Sequence, residues 1–234
     1  MDVPPSESHE PTGLELLSTK AMYRPIDLPD LSEIEPDTYE RKSEVKTEIT
    51  IKGVTYPCTL TFERLEEALY QQEYQKMQLH LELFDPINHT RIAVFKGALN
   101  CAATDASHKK QNATYWRIYT RKVDESARGK GIGSACLEVY EHLCRQIGKE
   151  YPALNADHIR ICTMLASLTC LLISKTWLDA NNLSDYARSA GVDFGYLPRP
   201  GDERNVRTVL EAGTEQLDDL TGRNIPQIEL IKKL

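Results

Sequence analysis

The sequence lacks any run of about 20 consecutive apolar residues, the length that a helix needs to cross a bilayer. It also has no N-terminal basic region followed by an apolar run, which is the pattern of a secretory signal. Its six cysteines form no C-x-x-C pair and show no cysteine–histidine spacing typical of zinc. We therefore predict a cytoplasmic protein with no membrane contact and no metal site, whose cysteines are reduced and mostly buried.

Positive charge is also scarce. The chain has 28 Lys and Arg against 35 Asp and Glu, so its formal net charge is −7. Proteins that bind duplexes usually carry a basic face, because neutralisation of phosphates dominates their affinity. The one short basic group consists of Arg117, Arg121, Lys122, Arg128 and Lys130. We therefore predict no nucleic-acid partner, while an acidic surface would tolerate a cationic substrate.

The first part of the chain differs in composition from the rest. The length of 234 residues suits one domain, and 41% hydrophobic with 27% charged residues is ordinary for a globular protein. Residues 1–44, however, are rich in Pro, Glu, Asp and Ser and have no sustained apolar period. Such a segment buries too little apolar surface to offset the entropy of ordering. We predict a flexible arm over residues 1–44 and a folded domain over residues 45–234.

The apolar pattern of the middle of the chain predicts mostly strands. Alternating apolar residues indicate half-buried strands, whereas apolar residues spaced three and four apart indicate a helix. On these criteria we predict, in chain order, a hairpin of residues 48–51 and 54–56 turning at Lys52-Gly53, a helix over 62–70, a strand over 79–83, a turn at 85–89 and a strand over 92–95.

The second half of the chain alternates strand and helix. We predict a strand over 115–123, a helix that runs to about residue 149 and is stopped by Pro152, a strand over 159–164 and a helix over 165–178. This order is typical of an α/β or α+β fold, in which helices cover a sheet.

The most informative segment is the glycine loop, Arg128-Gly129-Lys130-Gly131-Ile132-Gly133, which lies between a predicted strand and an amphipathic helix. The first backbone N–H groups of a helix have no internal partner, and this end of the helix dipole is positive, so it attracts anions. Glycines allow the backbone to approach a diphosphate closely. Arg128 and Lys130 add positive charge. The loop therefore predicts a ligand that carries phosphate.

Two common phosphate-binding motifs do not fit the loop. A P-loop requires G-x-x-x-x-G-K-[S/T], and no glycine here has that spacing. The dinucleotide fingerprint requires G-x-G-x-x-[G/A], but the last position is Ser134 or Cys136, depending on the register. The loop does fit [R/Q]-x-x-G-x-[G/A] with Arg128, Gly131 and Gly133. With the preceding Val123, it resembles the GNAT superfamily of acetyl-CoA-dependent N-acetyltransferases, in which a proline is common where this chain has Glu125.

The resemblance implies a fold, a cosubstrate and a binding site. The implied fold is a mixed, mainly antiparallel sheet flanked by helices, with strands 115–123 and 159–164 splayed to form a cleft. The implied cosubstrate is acetyl-CoA, with its pyrophosphate on the loop amides and its pantetheine arm along the main chain of Val123. The implied binding residues are Val123, Arg128, Gly129, Lys130, Gly131, Ile132, Gly133 and Ser134.

The same resemblance implies direct attack of an amine on the thioester, with no acyl-enzyme. A tyrosine commonly serves as general acid in this family, and Tyr186 is the candidate, although its Y-x-x-x-x-G-V pattern is one residue longer than Y-x-x-x-G-F. Another alignment would place Trp177 there, and Tyr186 could equally be a packing residue. The base could be Glu82, His80 or a water chain.

The acceptor remains open among a protein N-terminus, a lysine, a polyamine and a drug amine. Two alternatives to an N-acetyltransferase also stay open at this point. One is an inactive module that binds acyl-CoA or a protein partner, and the other is an acyltransferase with a different acyl group or an alcohol acceptor.

Overall fold

A ten-stranded sheet forms the centre of the protein. The computed structural model describes residues 15–31, 42–69, 73–102, 114–163, 166–186, 192–211 and 226–234. The strands, in chain order, are β1 (Glu15–Leu16), β2 (Met22–Tyr23), β3 (Lys42–Ile51), β4 (Val54–Leu69), β5 (Glu73–Phe84), β6 (Arg91–Ala102), β7 (Thr114–Val123), β8 (Ala156–Thr163), β9 (Leu197–Pro198) and β10 (Ile228–Lys233). The helices are α1 (Ile132–Glu150), α2 (Ala166–Leu172), α3 (Lys175–Ala180) and α4 (Glu203–Glu211).

The sheet is mostly antiparallel, with the order β1-β2-β3-β4-β5-β6-β7-β8-β10-β9. Among the pairs of described strands, β7 and β8 are the parallel pair, and α1 is the crossover between them. A parallel connection needs such a crossover, because the chain must return to the same end of the sheet. The structure is therefore a mixed α+β fold with a large, mainly antiparallel sheet, as the alternation of elements predicts.

The hairpin between β3 and β4 is confirmed. Ile51 pairs with Val54, and the turn residues Lys52 and Gly53 have φ angles of 51° and 82°. Two positive φ angles are typical of the type I′ turn, whose twist matches that of the flanking strands. The strand predicted over 79–83 is also confirmed, since Leu79, Leu81 and Leu83 of β5 are fully buried.

The helix predicted over 62–70 is wrong, because residues 62–69 belong to β4, while Tyr70 lies outside the described residues. Phe62 is fully buried and pairs with Ser43 of β3 and Leu79 of β5. The register shifts between Arg64 and Glu67, so a bulge interrupts the alternation that would have indicated a strand. Helix propensity amounts to only tenths of a kcal/mol per residue. Backbone pairing of this segment with β5, and of its first residues with β3, therefore overrides it.

The single helix predicted over 165–178 is two helices. The break lies at Ile173 and Ser174, where Ile173 forms a parallel bridge with Tyr196 and Ser174 N–H donates to Tyr196 O at 2.8 Å. These bonds use backbone groups that a continuous helix would need for itself. The interruption therefore arises from a contact with a distant segment.

The helix after the glycine loop is confirmed as α1, which lies against β6, β7 and β8. Its buried face includes Ile132, Ala135, Val139, Leu143 and Ile147, at the predicted spacings of three and four. Tyr140 donates a hydrogen bond to Leu79 O at 3.1 Å, so the helix is also joined to the sheet by a buried polar contact. The position of this helix fixes the glycine loop at one end of the sheet.

Residues 15–31 pack on the domain, so the flexible arm predicted over residues 1–44 is wrong for this part. The backbone N–H groups of Ser18 and Thr19 donate to the Glu138 carboxylate on α1, each at 2.9 Å. Gln146 donates to Ile26 O at 2.8 Å. The buried apolar residues of the segment are Leu17, Ala21, Tyr23, Ile26 and Leu31. The average composition of the segment is polar and gives no sign of these few apolar side chains. They are enough to hold the segment in place once they pack on the rest of the domain. Residues 1–14 and 32–41 lie outside the described part of the chain.

Candidate functional site

The glycine loop begins where β7 ends at Val123. Asp124 N–H donates to Ile92 O at 2.9 Å, and a short 3₁₀ turn of Glu125–Ala127 follows. Gly129 and Gly131 then have φ angles of 75° and 84°. Residues with a Cβ are strained in this region, so the chain here requires glycine. The two glycines turn the chain so that α1 starts at Ile132.

The N-terminus of α1 is open. Gly131 is its cap residue and provides no side-chain hydrogen bond, and the first turn contains no acidic residue. The backbone N–H groups of Ile132, Gly133 and Ser134 have no partner within the helix, since they precede its first turn of hydrogen bonds. With the positive end of the dipole, these groups can bind an anion.

Two cations belong to the loop itself. Arg128 donates from Nε to Val123 O at 3.2 Å, and its guanidinium lies 3.7 Å from the Glu125 carboxylate, with 64% of its side chain exposed. Lys130 is exposed and interacts electrostatically with Asp85, which lies in the turn between β5 and β6. Backbone N–H groups of that turn are the main cause of the lowered pKa of Asp85, and Lys130 lowers this pKa further. Both cations are thus available to a ligand in solvent.

A third cation, Lys52, was not among the residues identified from the sequence. A Cβ placed on Gly131 would lie 3.6 Å from Lys52 Cε and 3.9 Å from Lys52 Nζ. None of the ion pairs between described residues includes Lys52. The hairpin turn therefore places an ammonium group beside the open end of α1. No motif could indicate this contact, because Lys52 is remote in sequence and the sheet brings it to the loop.

The pairing of β7 with β8 stops partway along both strands. The last pair is Ile118 with Ile161, whereas β7 continues to Val123 and β8 to Thr163. We call this point the fork. Tyr119 is an extra residue in the ladder with β6, where Gly97 pairs with Ile118 and Lys96 pairs with Thr120. A splayed cleft beyond the fork remains a prediction.

The catalytic candidates are Tyr186, Glu82 and His80. Tyr186 ends a 3₁₀ turn after α3, is partly buried against the core, and donates its N–H to Leu183 O at 3.0 Å. Glu82 forms an ion pair with Arg91 at 2.7 Å. His80 Nε2 is 3.0 Å from Gln78 Oε1. No described contact joins Tyr186 to the glycine loop, so its catalytic role stays a prediction.

No family model matches the sequence, and no curated protein matches it. One matching solved structure is an aminoglycoside 6′-N-acetyltransferase in complex with coenzyme A, at 16% identity, covering 67% of this chain and 72% of that one, with a TM-score of 0.29. An agreement at that TM-score carries no argument about function.

Among the described residues, no three or more His, Cys, Asp and Glu side chains come together in a way that could hold a metal ion. None of their helices combines the length and the apolar character that crossing a membrane would require.

Proposed function

We propose that this protein is an N-acetyltransferase that moves the acetyl group of acetyl-CoA to an amine by direct attack. The observation that carries the proposal is the open, glycine-lined N-terminus of α1, which directly follows a strand whose pairing to its neighbour stops at the fork. An anion site therefore lies next to an unpaired strand edge. The anion site suits a diphosphate, and the strand edge suits an extended arm that contains amide groups. The proposal includes a GNAT-like fold, a cytoplasmic location, and an amine-bearing small molecule or protein as acceptor.

The residues of the loop would each bind a different part of acetyl-CoA. The backbone amides from Arg128 to Ser134 would hold the pyrophosphate, with Arg128 and Lys130 adding charge. We add Lys52 to this set, because its ammonium group already lies beside Gly131. The main chain of Val123 would pair with the pantetheine arm, as an added strand pairs with a sheet edge.

Direct attack is supported by the state of the cysteines on α1. Cys136 and Cys144 are fully buried, and burial raises the pKa of Cys136 to about 12. Burial also raises the pKa of Cys144, with a further contribution from Glu141. A thiol that stays protonated is a poor nucleophile. The amine nitrogen would therefore attack the thioester carbon itself, the C–S bond would break, and the amine would lose one proton as CoA gains one.

A substrate screen that follows release of free CoA tests this function. Purified protein with acetyl-CoA should release CoA in the presence of at least one class of amine: a peptide N-terminus, a lysine peptide, a polyamine or an aminoglycoside. Replacing acetyl-CoA with longer acyl-CoA esters tests the acyl group. Binding of acetyl-CoA without release for any amine or alcohol would instead support an inactive acyl-CoA-binding module.

The proposal predicts that Lys52→Ala weakens binding of acetyl-CoA about tenfold. One charge-assisted contact to phosphate is lost, and tenfold corresponds to about 1.4 kcal/mol. Calorimetry at several salt concentrations measures the affinity, whose salt dependence should fall in the variant. Lys20→Ala is the matched control, because Lys20 is also an exposed turn lysine with positive φ, 60° against 51° for Lys52. Equal affinities for Lys52→Ala and Lys20→Ala would remove Lys52 from the site.

The proposal also keeps Tyr186 as the general acid. Tyr186→Phe removes only the hydroxyl, so the packing of the ring against the core is retained. We expect kcat to fall roughly 10²-fold or more while the affinity for acetyl-CoA changes little. Steady-state kinetics with the identified amine measures the first quantity and calorimetry the second. Full turnover in Tyr186→Phe would make Tyr186 a packing residue.

A further inference from the structure

Arg121 places a guanidinium group at the fork between β7 and β8. Its Nη1 donates to Ile118 O at 3.1 Å and its Nη2 donates to Cys162 O at 3.2 Å. One guanidinium therefore spans the two strands just past their last pair. The extra residue Tyr119 explains this position, because the shifted register pairs Arg121 with Phe95 and Ile118 with Gly97. Phe95 and Gly97 share one face of β6, so Arg121 and Ile118 share one face of β7.

This cation is partly buried, and no described carboxylate forms an ion pair with it. None of the ion pairs between described residues includes Arg121, and its buried Nε has no hydrogen-bond partner. Elsewhere the molecule pairs its buried charge: Glu141 lies 2.5 Å from Lys232 Nζ and 3.6 Å from Arg145. Burying an ion without a partner of opposite charge costs several kcal/mol. The fork therefore carries an energetic cost that the ion pairs of Glu141 avoid.

The groups that face Arg121 are neutral. Tyr196 is fully buried, and burial, together with the neighbouring Glu141 carboxyl group, raises the pKa of its hydroxyl well above the usual value. Cys162 contributes its carbonyl, while its thiol is 3.6 Å from Arg117 Nη2. Burial lowers the pKa of Arg121, but a guanidinium remains charged at neutral pH. Among the described residues, the fork thus holds a permanent positive charge that no carboxylate pairs with, and its buried Nε–H has no acceptor.

The distance along β7 suits the reactive end of acyl-CoA. Val123 is about 16 Å from Ile118 at about 3.3 Å per residue of extended strand. That span is comparable to an extended pantetheine arm, which starts at the diphosphate and ends at sulfur. An arm that follows β7 from the glycine loop would bring its sulfur to the fork.

We propose that the guanidinium of Arg121 stabilises the thiolate of CoA as it leaves, which deepens the proposed function and rests on it. The amine nitrogen attacks the carbonyl carbon, and the C–S bond breaks with its electron pair going to sulfur. Arg121 donates a hydrogen bond to that sulfur and keeps its own proton. The thiolate then takes up the proton that the amine has lost, directly or through the general acid and solvent.

The test is a titration of the thiol of bound CoA, followed by the ultraviolet absorbance of the thiolate. A titration of the protein alone is subtracted to remove its own cysteines. In the wild type the bound thiol should titrate about one unit or more below free CoA. In Arg121→Gln it should titrate at or above the value for free CoA. Arg121→Lys keeps the charge and should retain part of the shift.

Kinetics and a matched control complete the test. We expect kcat of Arg121→Gln to fall about 10²-fold with little change in the KM for acetyl-CoA, because the stabilised charge exists only as the bond breaks. Arg117→Gln makes the same substitution on β7, on the opposite face, and should leave the thiol titration unchanged. A structural role for Arg121 would lower the melting temperature and leave the thiol titration as in the wild type.

The possible failures are distinguishable. An unshifted thiol in the wild-type complex overturns the assignment of Arg121, and this measurement needs no variant to fold. A shifted thiol without acetyl transfer to any amine supports Arg121 as the sulfur site and rejects the proposed function. If the wild type binds no CoA, both are rejected.

Discussion

Gly131→Glu is expected to abolish measurable binding of acetyl-CoA, with a loss of 10²-fold or more, or about 2.7 kcal/mol. The new carboxylate would lie at the open end of α1, beside the Lys52 ammonium, which is 3.9 Å from the Cβ position. It would therefore occupy the place proposed for the pyrophosphate and repel it. Isothermal calorimetry with acetyl-CoA measures the loss, and a thermal melt establishes that the variant is folded.

A control is needed because Gly131 has a φ of 84°, so any side chain there adds backbone strain. Gly201→Glu provides it: Gly201 has a φ of 98°, and nothing lies within 4 Å of its Cβ position. Gly201→Glu should lose similar stability and keep its affinity. A folded Gly131→Glu protein that binds acetyl-CoA as the wild type does would remove the glycine loop from the binding site.

Removal of residues 1–31 is expected to lower the melting temperature by roughly ten degrees or more, or to prevent folding. Leu17, Tyr23 and Ile26 are buried, and their removal exposes the apolar surface beneath them. Each such side chain contributes about 1.5–3 kcal/mol, and about 2–4 °C accompanies each kcal/mol in a protein of this size. Calorimetric or dichroism melts measure the effect. Removal of residues 1–14 alone is the control, and we expect only a small change from it.

The contact with α1 adds a pH dependence to this segment. Burial acts to raise the pKa of Glu138, but hydrogen bonds from Ser18 and Thr19 outweigh it and leave the pKa lowered. A carboxyl group with a lowered pKa contributes stability above its unfolded-state pKa, and that stability is lost as the pH falls through the folded-state pKa.

An unchanged melting temperature after removal of residues 1–31 would contradict the truncation prediction and would support a domain that begins near residue 45.

The strongest local patterns were sufficient to predict their elements. In α1 the apolar residues recur every three or four positions, and in β5 they alternate. Each period describes one buried face, which is enough to distinguish a helix from a strand. Residues 62–69 were predicted wrongly because a bulge between Arg64 and Glu67 breaks the alternation of β4. The bulge depends on the register with β5, which is a property of the pair of strands and not of either sequence.

The sequence alone determined the glycine loop and the helix that follows it, because a positive φ before a helix and a 3.6-residue period are local requirements. Only the tertiary structure decided what faces the loop and the fork. Lys52 reaches Gly131 through the packing of a remote hairpin, and Arg121 reaches Cys162 O through a one-residue shift against β6. Residues 15–31 are held in place for the same reason, since they pack on α1 and pair with β3, which are both distant in sequence. Contacts between distant segments depend on where the sheet places them, and no local pattern contains that information.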